Sequence, residues 1–206
     1  MGRVTAGITP EQRSALQWLA SFTDPSTYLA GGVAVAIRLG HRLSRDLDLF
    51  TPSGDPATLA DSIVQSGAPA QIISRGPGTL HLEVEGIPAS ILRYAYPLLS
   101  EPEQVADLPV PVASIDDLIC MKLSAIGGRG ARKDFWDLHA LVSATGRGLG
   151  PALAAFQRKY ASEDVGHVVR SLVYFADAEA EPMTAGLTEL HWSRIRSDLE
   201  AWVRDL

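Results

Sequence analysis

The spacing of apolar residues changes character near the middle of this chain. Thr9-Pro10-Glu11-Gln12 combines an N-cap residue, a first-turn proline and an early acid. Leu16, Leu19 and Ala20 then share one helical face, so a helix is predicted over 10–21. Asp24-Pro25-Ser26 marks a turn, after which Tyr28-Leu29-Ala30 has the apolar character of a short buried strand running into Gly31-Gly32. A helix over 33–39 follows directly. Leu47, Leu49 and Phe50 then interleave with Asp46 and Asp48, the period of a strand with one apolar and one acidic face, which points both carboxylates the same way. A proline near the start, helical spacing and a closing Gly67 predict a helix over 56–66. Strands are expected at 71–74, 79–85 and 88–93, with Glu85-Gly86 as the hairpin corner.

From Ser114 onward the period is helical almost to the end. Ser114-Ile115-Asp116-Asp117 can open a helix by side-chain capping. Residues 127–130, rich in glycine, are expected to separate a helix over 116–126 from one over 131–142, and Gly146-Arg147-Gly148-Leu149-Gly150 separates that from the remaining helices. The fold class expected is therefore α+β: a mixed sheet with flanking helices in residues 1–112, followed by a mainly helical part in 113–206. Internal repeats and low-complexity tracts are absent from the sequence.

Composition narrows the classes. At 206 residues the chain can bury a core without staples, and 46% hydrophobic with 20% charged residues is ordinary globular usage, which argues against a fibrous or disordered chain. The single cysteine, Cys120, cannot form an internal disulfide; it sits in an apolar helical pattern, where a small buried hydrophobe is the expected role. That usage suits a reducing cytoplasm. No apolar stretch follows Met1-Gly2-Arg3 and no apolar run is long enough to cross a bilayer, so a cytoplasmic protein with no membrane partner is expected. A net charge of -6 argues against a general polyanion binder but permits one local basic site. Arg38, Arg42 and Arg45 form one candidate group, and Arg129, Arg132 and Lys133 another.

Two aspartates one residue apart on a strand can hold a divalent ion, since hard oxygen ligands suit magnesium or manganese. Alone, Asp46-Leu47-Asp48 is a weak signal that a solvated strand end beside Arg45 would explain better. Its context is more informative. Glycines at 31 and 32 let the backbone approach a phosphate closely, and the following helix aims its N-terminal N–H groups at that anion. A triphosphate could bridge the glycine turn and a metal held by the two carboxylates, the arrangement needed to transfer a nucleotidyl group. His41, beside Arg42, could contact a phosphate but fits a surface loop better; His81, His139, His167 and His191 show no partner at ligand or triad spacing, and Trp136, Trp192 and Trp202 fit helix packing better than base stacking.

The stretch Leu29-Ala30-Gly31-Gly32 with Arg42-Leu43-Ser44-Arg45-Asp46-Leu47-Asp48-Leu49-Phe50 resembles the first motif of the DNA polymerase beta-type nucleotidyltransferase superfamily. Downstream, Asp117-Leu118-Ile119-Cys120-Met121-Lys122-Leu123-Ser124-Ala125, Arg129 and Arg132-Lys133-Asp134-Phe135-Trp136-Asp137-Leu138 are similar to the second block of the AbiEii/AbiGii-type, MenT-like toxins. The resemblance spans roughly residues 28 to 141. It implies a nucleotidyltransferase fold and magnesium-dependent (or manganese-dependent) transfer of a nucleoside monophosphate from an NTP to an acceptor. Some members modify the 3′ end of tRNA as the toxin of a type IV toxin–antitoxin pair, so RNA or tRNA and a cognate antitoxin are the partners implied. By position Asp46 and Asp48 would be the metal ligands, and Gly31, Gly32, Arg42 and Ser44 the nucleotide contacts. Lys122, Lys133 and Arg129 would face triphosphate charge, and Asp134 would be a further acid of the site. One feature departs from the pattern: the later strand, 88–93, offers no third carboxylate, although Glu83 and Glu85 lie nearby on a predicted strand. A non-catalytic nucleotide-binding module and an aminoglycoside-type enzyme acting on a small molecule are the competing readings.

Overall fold

The computed structural model describes residues 7–67, 69–105 and 107–206, and its contacts divide the chain into two compact units. One comprises residues up to Tyr96 together with Glu101–Ser114; the other comprises Pro97–Ser100 and Ile115–Leu206. Met1-Gly2-Arg3 lies outside the described residues. Among the described residues, no helix is long and apolar enough to cross a membrane.

In the first unit, α1 (Pro10–Ala20) begins with a complete capping box: the Thr9 hydroxyl accepts from the Gln12 N–H, and the Gln12 side chain accepts from the Thr9 N–H. Its Ala15, Leu16 and Leu19 are buried. β1 (Tyr28–Ala30) passes without a link into α2 (Gly31–Leu39), so this helix starts two residues before the apolar pattern suggests. Gly31, at φ 66°, makes the abrupt change of direction possible. β2 (Leu47–Thr51) is followed by a short 3-10 turn (Pro56–Thr58), α3 (Leu59–Gln65), and the strands β3 (Ala70–Gly76), β4 (Thr79–Val84) and β5 (Ile87–Arg93). Glu85 and Gly86, both at positive φ, form the expected two-residue hairpin corner. Glu85 therefore sits on the turn and outside the strand to which the sequence reading assigned it.

The sheet runs β1-β2-β5-β4-β3, with only β2 and β5 parallel. Pairing puts Ala30, Asp48 and Ser90 in one row across three strands, with His81 of β4 opposite Ser90. Leu29, Leu47, Leu49, Leu80, Leu82 and Ile91 form the buried side of the sheet together with Val33 of α2. Beyond β1 the edge is covered by the 111–113 segment: the Leu29 N–H donates to the Pro111 carbonyl and the Ala113 N–H to that of Leu29, each at 2.9 Å. Arg38 anchors this segment, donating to the Val112 and Ala113 carbonyls and to Glu103 at 2.6 Å. The structure thus uses Arg38 as a backbone clamp, where the sequence suggested a member of a positive patch.

The second unit is helical: α4 (Ile115–Gly128), α5 (Arg132–Thr145), α6 (Leu149–Tyr160), α7 (Gly166–Ser171), α8 (Ala176–Ala180) and α9 (Glu189–Arg204). α4 passes through Gly127-Gly128, and the Arg129 N–H still donates to the Ala125 carbonyl at 2.9 Å. The break expected at 127 falls instead at Gly130, whose φ of 57° ends the helix. Phe135, Phe175 and Trp192 pack on one another with ring centroids 5.3 to 6.0 Å apart. Trp136 and Trp192 are buried, as the packing reading of the tryptophans requires. Trp202 stacks on His139, whose Nε2 lies 2.8 Å from Asp198, so His139 does have a partner, one helix away. Cys120 is fully buried, and burial pushes its thiol up to about 12, which leaves no thiolate at neutral pH.

Candidate active site

Asp48 and the glycine turn meet because β1 and β2 are paired. Ala30 lies opposite Asp48, so Gly31, one residue on, turns directly over the carboxylate. A Cβ added at Gly31 would stand 2.8 Å from Cγ of Asp48 and closer still to Oδ2. A Cβ on Gly32 would meet the Ser44 hydroxyl and stand 2.8 Å from a guanidinium nitrogen of Arg42. Both glycines are therefore packed against polar atoms of the 42–48 segment, and the N-cap residue of α2, Ala30, has no side chain that can cap the helix. The start of a helix is where backbone N–H groups can hold an anion.

The loop carrying Arg42 and Ser44 is held from behind by Gln12. This buried residue on α1 donates from Nε2 to the carbonyls of Ser44 (2.7 Å) and Arg45 (3.0 Å), while its oxygen completes the capping box. Both of its N–H donors and its oxygen are thus used in fixing the loop to the helix start. Arg42 also donates to the Leu43 carbonyl at 2.8 Å, which curls the loop back on itself. Asp46 is exposed immediately before β2, whereas Asp48 is half-buried within it and accepts a hydrogen bond from Ser90 at 2.8 Å.

Among the described residues no group of three or more His, Cys, Asp or Glu side chains could hold a metal. The donors at this turn are Asp46 and Asp48, beside two glycines at which an added Cβ would collide with Asp48 and Ser44. These two carboxylates fit magnesium, which is commonly bound through one or two carboxylates plus substrate phosphates rather than by a closed protein cage. Glu83 lies on the same sheet face as Asp48, two strands away and opposite Pro88.

In the second unit, Lys122 of α4 lies 2.9 Å from Asp134 and 2.7 Å from Asp137, with all three side chains buried. Arg129 donates to both oxygens of Asp134, at 2.8 and 3.0 Å, so the continuation of α4 through its glycines delivers a second cation to this carboxylate. Lys133 is half-buried on the next helix. Arg132, proposed from sequence for a basic patch, is buried; it donates to the Ala178 carbonyl and its guanidinium lies 5.2 Å from the Trp192 ring centroid.

Burial alone would lower the Lys122 pKa, but the Asp137 and Asp134 carboxylates outweigh it and raise the value above 10.5. For Asp134, burial acts upward and is outweighed by Lys122 and Arg129, which hold the carboxyl below 3.8. Asp134 therefore adds stability above its ordinary pKa that is lost as pH falls through its lowered value. Lys122 adds stability below its ordinary pKa that is lost as pH rises through its raised value. Thermal midpoints are expected to be flat from about pH 5 to about pH 9 and to fall beyond, and Asp134→Asn should lower that plateau. A variant with the wild-type plateau would show that the network contributes nothing.

Three residues of these clusters escaped sequence reasoning. Gln12 had a signal, since it stands three residues after the N-cap Thr9, but neither its capping bond nor its hold on the 44–45 carbonyls was read. Asp137 was given no role of its own, whereas the structure pairs it with Lys122. Ser90, one hydroxyl in an apolar strand, offered no signal at all.

Known structures give the fold. The nucleotidyltransferase toxin MenT4 of Mycobacterium tuberculosis H37Rv superposes with a TM-score of 0.58 over 97% of this chain and 87% of its own, at 18% identity. JHP933 from Helicobacter pylori superposes at 0.52 over 94% and 92%, at 19% identity. The fold is that of the nucleotidyltransferases, a five-stranded mixed sheet with flanking helices, as the sequence led one to expect. Residues 67–205 match the family described as "Nucleotidyl transferase AbiEii toxin, Type IV TA system", and the chain belongs to that family of nucleotidyltransferase enzymes. An uncharacterized protein of Aquifex aeolicus (strain VF5) is 38% identical over 177 residues, 84% of this chain and 86% of its own length. The family match includes the Lys122 to Asp137 cluster and begins beyond β2, so it does not cover Gly31, Gly32, Asp46 or Asp48.

Proposed function

We propose that this protein transfers a nucleoside monophosphate from an NTP to an RNA acceptor, with tRNA the leading candidate, and that a cognate antitoxin restrains it in the cytoplasm. The observation that carries this reading is the Gly31-Gly32 turn, packed on Asp48 and reached by Ser44 and Arg42 at the start of α2. Backbone N–H groups of the turn, the Ser44 hydroxyl and the Arg42 guanidinium would hold the triphosphate. Asp46 and Asp48 would hold magnesium, which supplies charge neutralisation for the phosphate oxygens. An acceptor hydroxyl oxygen then attacks the α-phosphorus in line, the bond to the β-phosphate oxygen breaks, and pyrophosphate leaves. The family match around Lys122, Arg129, Lys133 and Asp134 supports assigning that cluster to the same activity.

The test is incubation of the protein with total RNA, and separately with aminoglycosides, in magnesium with each of the four α-labelled NTPs. Label is expected on RNA and not on the small molecules, and none with Asp48→Ala. Folded protein that labels no acceptor from any NTP overturns the reading.

The glycines supply a further expected result. Gly31→Ala places a methyl group against Asp48 at a φ of 66°, a backbone region that costs a non-glycine residue on the order of 1–3 kcal/mol. It should weaken NTP binding, measured by calorimetry, at least tenfold, whereas Gly54→Ala, which meets nothing within 4 Å, should leave that binding unchanged.

A further inference from the structure

We infer that Ser90 is a positioning residue for the metal-binding carboxylate of Asp48, an inference that rests on the reading of this turn as the metal and nucleotide site. Ser90 stands in direct register with Asp48 across the parallel β2–β5 pair, and its hydroxyl donates to Oδ1 at 2.8 Å. The other oxygen, Oδ2, is the atom that lies against Gly31. One carboxylate oxygen is thus fixed by the neighbouring strand while its twin is presented to the phosphate turn. A carboxylate on its own rotates broadly about its last torsion, so without a fixed partner the oxygen aimed at the turn would vary.

Packing does not explain the hydroxyl. Ser90 is buried, its neighbours Ala89 and Ile91 are buried and apolar, and no other residue of β5 carries a hydroxyl. A buried hydroxyl in such a strand costs stability unless it is paired, and the pairing here is to a charged group, the stronger kind. Ser90 does not reach the reacting atoms; it acts through Asp48. Outer partners that orient a metal ligand typically change metal affinity by about 10- to 100-fold when removed.

The experiment titrates the purified full-length protein with Mn2+ alone and follows the free ion by electron paramagnetic resonance, for wild type, Ser90→Ala, Ser90→Thr and Asp48→Asn. Thermal melting without metal establishes that each variant is folded. Ser90→Ala is expected to bind Mn2+ about tenfold more weakly than wild type, Ser90→Thr within about twofold of it, because the hydroxyl is retained, and Asp48→Asn not at this site. If Ser90→Ala does not fold, Ser90→Cys, nearly isosteric and a poor donor, takes its place with the same expected loss. Wild-type affinity in Ser90→Ala or Ser90→Cys overturns the positioning role and leaves the metal reading standing, as does a Ser90→Thr variant as weak as Ser90→Ala. Indistinguishable binding in wild type and Asp48→Asn overturns both.

Discussion

Asp48→Asn is expected to reduce nucleotidyl transfer by about 10³-fold while leaving the fold intact, the largest functional effect of any single substitution in the chain. Asparagine keeps the shape of the side chain, and its amide oxygen can still accept the Ser90 hydroxyl, so the β2–β5 row should persist. What disappears is the negative charge beside the phosphate turn. Asp48 sits within β2 and is half-buried, where water screens it poorly, whereas Asp46 is exposed ahead of the strand. Asp46→Asn should therefore cost less, about tenfold. Steady-state transfer from an α-labelled NTP, paired with thermal melting of each variant, checks both. An Asp48→Asn protein within tenfold of wild type would remove this carboxylate from the centre of the reaction.

The order of these effects could be read in part from the sequence. The change from period two to helical spacing near Ser114 separated a sheet-bearing part from a helical part, and the run from a buried strand through Gly31-Gly32 to Asp46-Leu47-Asp48 marked the candidate site. These signals are local, each complete within one turn or one strand. Pairing between distant strands is not local. Nothing in residues 88–93 announces that β5 lies parallel to β2, so the Ser90–Asp48 contact was invisible. Glycine propensity misled in the opposite direction. Gly127 and Gly128 each weaken a helix by about 1 kcal/mol in isolation, but burial of Ile126 and the Arg129–Asp134 bonds carry α4 through them. The arginines show a third kind of loss. Arg38 and Arg132 read as charge awaiting a ligand, yet both are committed to backbone carbonyls that a sequence cannot place.

Lys159 belongs to the same hidden class, and its replacement is expected to have the largest effect on stability. Its ammonium, with no solvent exposure, lies 2.7 Å from Asp117 and donates to the Pro97 carbonyl at 2.8 Å. Asp117, equally buried, also accepts from the backbone N–H groups of Leu99 and Ser100. Together the two side chains fasten Pro97–Ser100 onto α4 and α6. Lys159→Met keeps most of the volume but leaves a buried carboxylate without its cation, which typically costs about 3–5 kcal/mol. For a chain of this size that corresponds to a fall in the melting midpoint of roughly 6–20 °C. Adding Asp117→Asn should restore part of the loss: the amide oxygen still accepts from Leu99, and no uncompensated charge remains. By contrast, the Arg147–Asp116 pair is largely solvent-exposed, and Arg147→Ala should cost about 1 kcal/mol or less. Urea denaturation of the single and double variants separates these cases. If Lys159→Met unfolds within 1 kcal/mol of wild type, or if Asp117→Asn deepens its loss instead of relieving it, the buried pair is not what holds this segment.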